Sequence, residues 1–390
     1  MNIICNSKCS VVTKTLLLTV IFWGLIVNSK IRAEADDELQ ELMQQYCIIL
    51  QPVSPDEIQW DIVVDTIDSV IIDPQNSKII YAITSRGILR SVDSGENWRL
   101  LDNGNILIGN IGILTIDPNN TSIMYASAYI IVDGKGIGGI IKSKDSGFNW
   151  QLLMKLELAW EYRHISSILV DPNNSSIIYI TNRDNIYKST DAGLNWEIIV
   201  SESSSGPILS IGRESSILYA SFTGRTSSRI LKSEDDGKSW MEIDDGFEYT
   251  EEHKLTYVKS IAISQHNKNV IYAVLSRRLY KSNDGGKSWK ELEKSPYKTG
   301  NASHNNIILT NNQNIIYLVT GNALYRSTNG GKSWKKTHRD EKNRIRTDFI
   351  AVDPKNHKII FAGNNERLYK SINSGRTWKT ILGRPLKFEE

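Results

Sequence analysis

The chain has 390 residues, of which 40% are hydrophobic and 23% are charged, and its formal net charge is +2. A nearly neutral chain lacks the basic excess on which nucleic-acid binding depends, so no nucleic-acid partner is expected. Its three cysteines exclude a disulfide-rich fold, because Cys5 and Cys9 precede the mature chain predicted below and leave only Cys47.

The first 35 residues are typical of a secretory signal peptide. Lys8 and Lys14 precede an apolar run over residues 15–27, and the small-residue site Ala33-Glu34-Ala35 follows. We expect cleavage after Ala35 and a secreted or periplasmic protein. The alternative is an uncleaved membrane anchor, for which the apolar run is short.

Residues 36–57 form the next predicted segment, a short helix and a linker. Leu39, Leu42, Met43 and Tyr46 recur at helical intervals. This amphipathic helix either packs on the edge of the following domain or binds a partner. The predicted organisation is therefore a signal peptide at 1–35, this segment at 36–57 and one domain at 58–390.

One motif occurs seven times in the rest of the chain: a basic residue followed by Ser-x-(Asp/Asn)-x-Gly-x-x-Trp, which we call the box. Its serines are 44 to 52 residues apart, at Ser91, Ser143, Ser189, Ser233, Ser282, Ser327 and Ser371. A regular period of this length indicates a repeat architecture.

Each period contains four short apolar runs separated by turn residues. In the first period the runs begin near Val70, Ile79 and Ile88, and the last follows Trp98. Short runs of β-favouring residues between Pro, Gly and Asn turns predict strands. Four strands repeated seven times predict an all-β fold, a seven-bladed β-propeller of four-stranded antiparallel blades.

The box joins the third and fourth strands, and each of its residue types has a structural use there. Glycine allows a backbone conformation that other residues resist. The acidic or amide side chain accepts turn N–H groups, and the tryptophan packs where blades meet. We therefore interpret as structural, and not catalytic, the residues Asp93, Asp145, Asp191, Asp235, Asp284, Asn329, Asn373, Trp98, Trp150, Trp196, Trp240, Trp289, Trp334 and Trp378.

The sequence leaves two alternatives for the closure of the ring. Residues 60–63 begin with Trp60 and resemble an outer strand, so they could complete the last blade. However, the last blade has its own such segment after Trp378.

These repeats resemble the Asp-box, or bacterial neuraminidase repeat, family from about residue 58 to the end. The family includes sialidases, xyloglucanases, sortilin-type sorting receptors and photosystem II assembly factors, so the resemblance implies the fold and leaves the function open. It also implies that the boxes lie on the outer rim, away from the central funnel. In its size, its single predicted ring and its signal peptide, the chain resembles the photosystem II factors. The sequence Ile-Tyr-Ala in the second strand, however, is more similar to the sortilin and xyloglucanase type of repeat.

Length variation predicts the binding face, because binding loops vary while a scaffold stays fixed. The segment Trp160-Glu161-Tyr162-Arg163-His164 combines aromatic, acidic and basic side chains, as a binding hot spot does. A second set of basic residues suits carboxylates or phosphates: Arg277, Arg278, Arg344, Arg346 and Arg367. Alternatively, both sets of residues belong to solvent-exposed loops that bind no ligand.

Charge is unevenly distributed along the mature chain. Residues 36–253 have 16 basic and 33 acidic side chains, whereas residues 254–390 have 26 basic and 10 acidic ones. In a ring, this places an acidic sector opposite a basic one, which can orient a charged partner. The alternative is drift in surface charge.

Other chemical motifs are weak. Residues 134–139 are glycine-rich but are predicted to lie in a loop between strands, so they form no phosphate cradle. No cofactor is predicted, and no His/Cys spacing predicts a metal site.

We therefore expect a monomeric, non-catalytic scaffold that binds a charged protein through its variable loops. A glycan is the other class of ligand that these loops could bind. Peripheral contact with a membrane is compatible with this interpretation. The alternative is a glycoside hydrolase or glycan-binding protein of the xyloglucanase or sialidase type. Hydrolysis needs two placed carboxylates, and nothing selects among the candidates Glu161, Asp184, Glu251 and Asp348.

Overall fold

The computed structural model describes residues 2–4, 49–51, 66–101, 107–132, 135–156, 164–182, 184–201, 208–211, 216–223, 228–243, 247, 258–275, 278–296, 305–320, 323–337 and 347–383. The chain divides into two units, residues 1–62 and residues 63–390. In the first unit, β1 (Asn2–Ile4) pairs antiparallel with β2 (Ile49–Gln51). The predicted cleavage site and short helix lie outside the described residues. Within the described ranges, no helix is long and apolar enough to cross a membrane.

The second unit is an all-β propeller of seven four-stranded antiparallel blades, which confirms the predicted fold class. Each blade takes its strands from consecutive stretches of the chain. Blades 1 to 3 are β3 (Ile67–Ile72), β4 (Ile80–Thr84), β5 (Gly87–Ser91) and β6 (Arg99–Leu100); β7 (Leu107–Ile116), β8 (Met124–Val132), β9 (Lys135–Ser143) and β10 (Gln151–Lys155); β11 (Ser167–Val170), β12 (Ile178–Thr181), β13 (Asn185–Ser189) and β14 (Glu197–Ser201).

Blades 4 to 7 follow the same order. They are β15 (Ile208–Ile211), β16 (Leu218–Thr223), β17 (Ser228–Ser233) and β18 (Met241–Glu242); β19 (Val258–Ile263), β20 (Ile271–Leu275), β21 (Arg278–Ser282) and β22 (Lys290–Glu291); β23 (Asn305–Leu309), β24 (Ile316–Thr320), β25 (Ala323–Ser327) and β26 (Lys335–Lys336); β27 (Phe349–Val352), β28 (Ile360–Gly363), β29 (Arg367–Ser371) and β30 (Lys379–Gly383).

The hydrophobic core lies between the blades. The second strands β4, β12 and β20 are buried along their whole length, because both faces of each blade are covered by neighbours. Six second strands place a fully buried tyrosine at the same position, and blade 7 has phenylalanine there: Tyr81, Tyr125, Tyr179, Tyr219, Tyr272, Tyr317 and Phe361.

Neighbouring blades meet where the box glycine of one blade packs against an outer-strand side chain of the blade before it. A Cβ added to Gly147 would lie 2.8 Å from Cδ1 of Leu101, and one added to Gly193 would lie 2.5 Å from Cδ1 of Leu153. These glycines also have φ angles of +92° and +94°, which side chains with a Cβ resist. Trp150 covers the contact of Gly147 and is 1% exposed.

The ring closes through the same kind of contact between blades 7 and 1. A Cβ added to Gly95 would lie 2.6 Å from Cδ1 of Ile381, and Trp98 Nε1 donates to the carbonyl of Ile381 at 3.0 Å. The segment after Trp378 supplies the outer strand of blade 7, while residues 60–63 lie outside the described residues. No strand is exchanged between blades within the described part of the ring.

Each box repeats one set of hydrogen bonds. In blade 1, Ser91 Oγ donates to Asp93 Oδ1 at 2.8 Å, and the Gly95 N–H donates to Ser91 Oγ at 2.8 Å; equivalent bonds occur in the other six. In blades 6 and 7, the amide oxygens of Asn329 and Asn373 accept the bond from the serine hydroxyl. The residue therefore acts as a turn acceptor, which a carboxylate or an amide can be.

We predict that Trp150→Ala destabilises the fold by about 3–5 kcal/mol, the usual cost of deleting a buried tryptophan. Trp196→Ala is the matched control, because this box tryptophan is only half-buried and should cost less. Urea unfolding of both variants checks the difference. Equal losses would mean that burial at the blade 1–2 interface does not set the cost.

We also predict that D235N/D284N reduces the sensitivity of the fold to acid. The Ser239 hydroxyl beside Asp235 and the Ser288 hydroxyl beside Asp284 lead the hydrogen bonds that lower the pKa of both carboxyls to about 2. Both values lie below the unfolded-state pKa of about 3.9. The carboxylates therefore stabilise the fold above about pH 4, and this contribution is lost as the pH falls toward 2.

Acid unfolding followed by circular dichroism measures this effect. The amide keeps the turn bonded, as Asn329 does by donating to Ser333 Oγ at 2.8 Å, so the double variant should lose stability less steeply between about pH 4 and 2. Asp184→Asn, at an exposed residue outside the boxes, is the control. An unchanged acid transition in the double variant would contradict the prediction.

Candidate functional site

Hydrogen bonds between turns distinguish the two faces of the ring. The Ser94 N–H of the first box donates at 2.8 Å to Lys78 O, in the turn between the first and second strands, and the Ser374 N–H donates to Lys358 O at 2.9 Å in blade 7. Boxes and first turns therefore share one face, the box face. The hairpins between second and third strands, and the segments between blades, lie on the opposite face, the loop face.

Most of the predicted binding residues fall outside the described structure: Trp160, Glu161, Tyr162, Arg163, Arg277, Arg344 and Arg346. Their role stays a prediction. His164 is described and half-buried, directly before the buried Ile165 and strand β11. It lies on the loop face.

Arg278 lies at the start of β21 and pairs within its own blade. Its Nη1 is 2.9 Å from Oε2 of Glu291 on the outer strand β22. The equivalent residue of blade 4, Arg229, pairs in the same way with Glu242 at 2.8 Å. An incoming carboxylate or phosphate would therefore have to compete with Glu291 for Arg278, which lowers the value of this arginine as an anion site.

Arg367 occupies the equivalent position of blade 7, at the start of β29. Its N–H donates to Asn364 Oδ1 at 2.9 Å, in the hairpin that precedes the strand. Blade 6 lies between this residue and Arg278 and has Ala323 at the same position. The structure therefore puts both predicted arginines on the loop face, but in blades that do not adjoin.

A pair of carboxyl groups lies on the loop face where the ring closes, and sequence reasoning had not paired them. Asp68 stands five residues before the turn residue Asp73 of blade 1, and Asp348 stands five residues before Asp353 of blade 7. The inner strands β3 and β27 pack side by side. The two carboxyl-bearing residues thus occupy equivalent levels of adjacent inner strands, and the equal spacing is the signal that could have found them.

The surroundings of Asp68 act on its pKa in two opposite directions. Although the residue is exposed overall, partial burial of its carboxyl raises its pKa, and a hydrogen bond with Thr66 opposes that rise. A carboxyl with a raised pKa on the same face as a second carboxyl is a combination that general acid–base catalysis uses. This is the chemistry that the described loop face offers most directly.

Blade 2 rises above its neighbours on the loop face. Strands β7, β8 and β9 have ten, nine and nine residues, against four to six for the equivalent strands of the other blades. The extra length is regular hairpin: Val132 pairs with Lys135, and Ile130 pairs with Ile137. We call residues 107–111, 128–132 and 135–139 the wall.

The wall contains the glycine-rich run, so its predicted assignment to a loop was wrong. Lys135 to Gly139 belong to β9, and Tyr129 lies across them. A Cβ added to Gly136 would lie 1.7 Å from the Tyr129 hydroxyl oxygen. The glycines therefore make room for an aromatic ring across the strand pair, a use of glycine that strands favour.

The described residues contain no group of three His, Cys, Asp or Glu side chains placed to hold a metal ion.

No protein-family model and no curated protein matches the chain. Among solved structures it is similar to the GH74 xyloglucanase from Xanthomonas campestris, with a TM-score of 0.65, 17% identity, and coverage of 82% of this chain and 55% of that one. The chain thus spans about half the length of that enzyme.

The chain is also similar to YCF48 from Cyanidioschyzon merolae, with a TM-score of 0.55, 15% identity, and coverage of 80% of this chain and 97% of that one. YCF48 bound to D1 peptide matches with a TM-score of 0.54, 15% identity, and coverage of 81% and 96%. At these identities the likenesses establish the propeller fold, and they include both an enzyme and a peptide-bound protein.

Proposed function

We propose that this protein is a non-catalytic binding scaffold of the Asp-box type that holds a protein partner on its loop face. The observation that carries the proposal is the wall of blade 2. A regular hairpin presents its contact surface already ordered, so binding there costs less conformational entropy than binding by a flexible loop.

Two further observations support a protein partner. The opposite charges of the two chain halves would orient a charged protein as it approaches. YCF48, a propeller nearly all of which this chain matches, has been solved with a bound peptide.

The proposal includes the compartment and the oligomeric state. After cleavage following Ala35, the protein acts as a secreted or periplasmic monomer. The mass of the exported chain, with Asp36 as its first residue, would establish this start.

We predict that a photocrosslinker at Lys135, on the wall, captures a specific protein in the native compartment. Lys135 is exposed, and a partner seated against the wall would lie within reach of its side chain. The same crosslinker at Lys238, exposed on the box face, is the matched control and should not capture that protein. Mass spectrometry of the crosslinked products compares the two.

A shortened variant tests the same proposal without a crosslinker. Replacing residues 129–138 by Asn-Gly would join Ala128 to Gly139, which already face each other across the hairpin, through a turn suited to two residues. Circular dichroism should show the intact fold, and the captured protein should no longer be retained. Retention by this folded variant, or equal capture at both crosslinker positions, would contradict the proposal.

The second candidate function is glycoside hydrolysis, favoured by the pair Asp68 and Asp348. In this alternative, Asp68 with its raised pKa is the general acid, and Asp348 is the base or nucleophile. The likeness to a xyloglucanase makes β-glucans the first substrates to test. The other carboxylates considered earlier contribute little: Asp184 is exposed in a hairpin of blade 3, and Glu161 and Glu251 lie outside the described residues.

For this alternative we predict release of reducing sugar from xyloglucan, which D68N and D348N would each lower at least 100-fold, the usual range for a lost catalytic acid or base. D184N is the control and should leave the rate unchanged. A wild-type protein that releases no sugar, or a D68N/D348N variant as active as wild type, would eliminate the hydrolase.

A further inference from the structure

Large apolar side chains that stay exposed in the described structure are confined to the boxes and the strands that follow them. Four lie in box turns: Val92, Phe148, Leu194 and Ile372. Three lie on outer strands: Leu100, Ile198 and Met241. Single exposed apolar residues are ordinary, but their restriction to one part of every affected blade requires an explanation.

Blades 6 and 7 concentrate positive charge on the same face. Seven exposed cations lie in their box turns, first turns and outer-strand starts: Lys332, Lys335, Lys336, Lys355, Lys358, Arg376 and Lys379. In the described part of these two blades, the carboxylate on this face is Asp353, which is buried and accepts a hydrogen bond from Ser77 Oγ at 2.7 Å. Glu96 of blade 1 neutralises Lys379 at 2.6 Å. The remaining charge is strongly positive; we call this surface the basic arc.

The basic arc coincides with the two boxes that have asparagine instead of aspartate. Asn329 and Asn373 keep the turn hydrogen bonds through their amide oxygens, so the turn forms with either residue type. What changes is the charge: these two blades lack the box carboxylate that the other five have. The substitution therefore makes the arc more attractive to an anion while the turn keeps its hydrogen bonds.

The exposed apolar side chains of the box turns lie in blade 7 and in the blades that follow it around the ring. Ile372, 67% exposed, is in blade 7 itself, and Val92, 57% exposed, is in the adjoining blade 1. Phe148 and Leu194 follow in blades 2 and 3. Val92 and Ile372 are the second residue of their boxes, and Phe148 and Leu194 are the sixth, so all four belong to turns of the box face.

The spacing of these side chains decides what kind of surface can meet them. Blades 7, 1, 2 and 3 each contribute one exposed apolar box side chain, and these side chains belong to separate turns, so they form no continuous groove for a peptide. A flat and fluid surface can receive separate side chains together, and anionic lipid headgroups would attract the arc. Cationic residues combined with exposed apolar ones are the usual composition of a membrane-contacting surface.

We propose that the box face docks on an anionic lipid membrane, with the basic arc on the headgroups and Ile372 and Val92 entering the interface. The loop face then points away from the membrane, toward the solvent. This inference stands on different residues from the proposed partner site and does not depend on it.

Sedimentation with vesicles tests the electrostatic part. The full chain should bind vesicles of phosphatidylcholine with phosphatidylserine more tightly than pure phosphatidylcholine, and added salt should weaken the difference. K332E/K336E/R376E should lower binding to the anionic vesicles about tenfold or more. R86E/K155E/K294E makes the same change of charge at exposed cations of the loop face outside the wall and should bind as wild type does. Equal binding by wild type and the first variant, or equal losses in both, would overturn the proposal.

A fluorescent probe tests the apolar part and the orientation. With the three native cysteines replaced by serine, an environment-sensitive dye on Ile372→Cys should shift to the blue on anionic vesicles, whereas the dye on Lys155→Cys should not. If the chain instead binds through the apolar run at residues 15–27, it should bind neutral and anionic vesicles equally, and the dye at residue 372 should stay in water. That result would contradict the proposal.

Heparin separates the membrane from a linear polyanion. If heparin binds wild type but not K332E/K336E/R376E, while anionic vesicles bind neither protein, the ligand of the arc is a polyanion and the membrane proposal is wrong.

Discussion

The propeller depends on one contact, the packing of a box turn against the outer strand of the blade before it. The box glycine has a positive φ, and the neighbouring outer strand leaves no room for a Cβ at this position. Both constraints apply to the same residue. The tryptophan three residues later then covers the contact. Because each blade both gives and receives this contact, the core becomes a series of clusters between blades, and no blade can bury its faces alone.

A second interaction crosses the same interfaces. Lys142 lies 5.0 Å from the ring centre of Tyr125 and reaches the next blade, where its Nζ donates to Ala192 O at 3.0 Å. Burial lowers the pKa of this lysine, and the carbonyl and the ring compensate for part of the lost hydration. Lys188 donates in the same way to Asp236 O at 3.0 Å, and Lys370 to Ser94 O at 2.8 Å. In these blades the basic residue before the box serine therefore links one blade to the box of the next.

The box period and the turn residues were sufficient to predict the fold, because seven identical local requirements admit few architectures. Ring closure could not be predicted in this way: residues 60–63 and the segment after Trp378 share a local pattern, and only the contact of Gly95 with Ile381 distinguishes them. The ion pair between Arg278 and Glu291 could not be predicted, because the register of β21 and β22, which brings the two side chains together, is apparent only in the structure. The glycine-rich run was misread for a similar reason, since the Tyr129 ring that requires the glycines is apparent only after the strands are paired.

The absence of strand exchange in the described ring has a consequence for how such a protein can change. A propeller that borrows a strand from its other end has a fixed point at which the chain must begin. Here a break between any two blades leaves every sheet whole, so the order of blades can be circularly permuted without a strand losing its partners. One full period can also be duplicated or lost as a unit, and the ring has only to adjust the angle between blades.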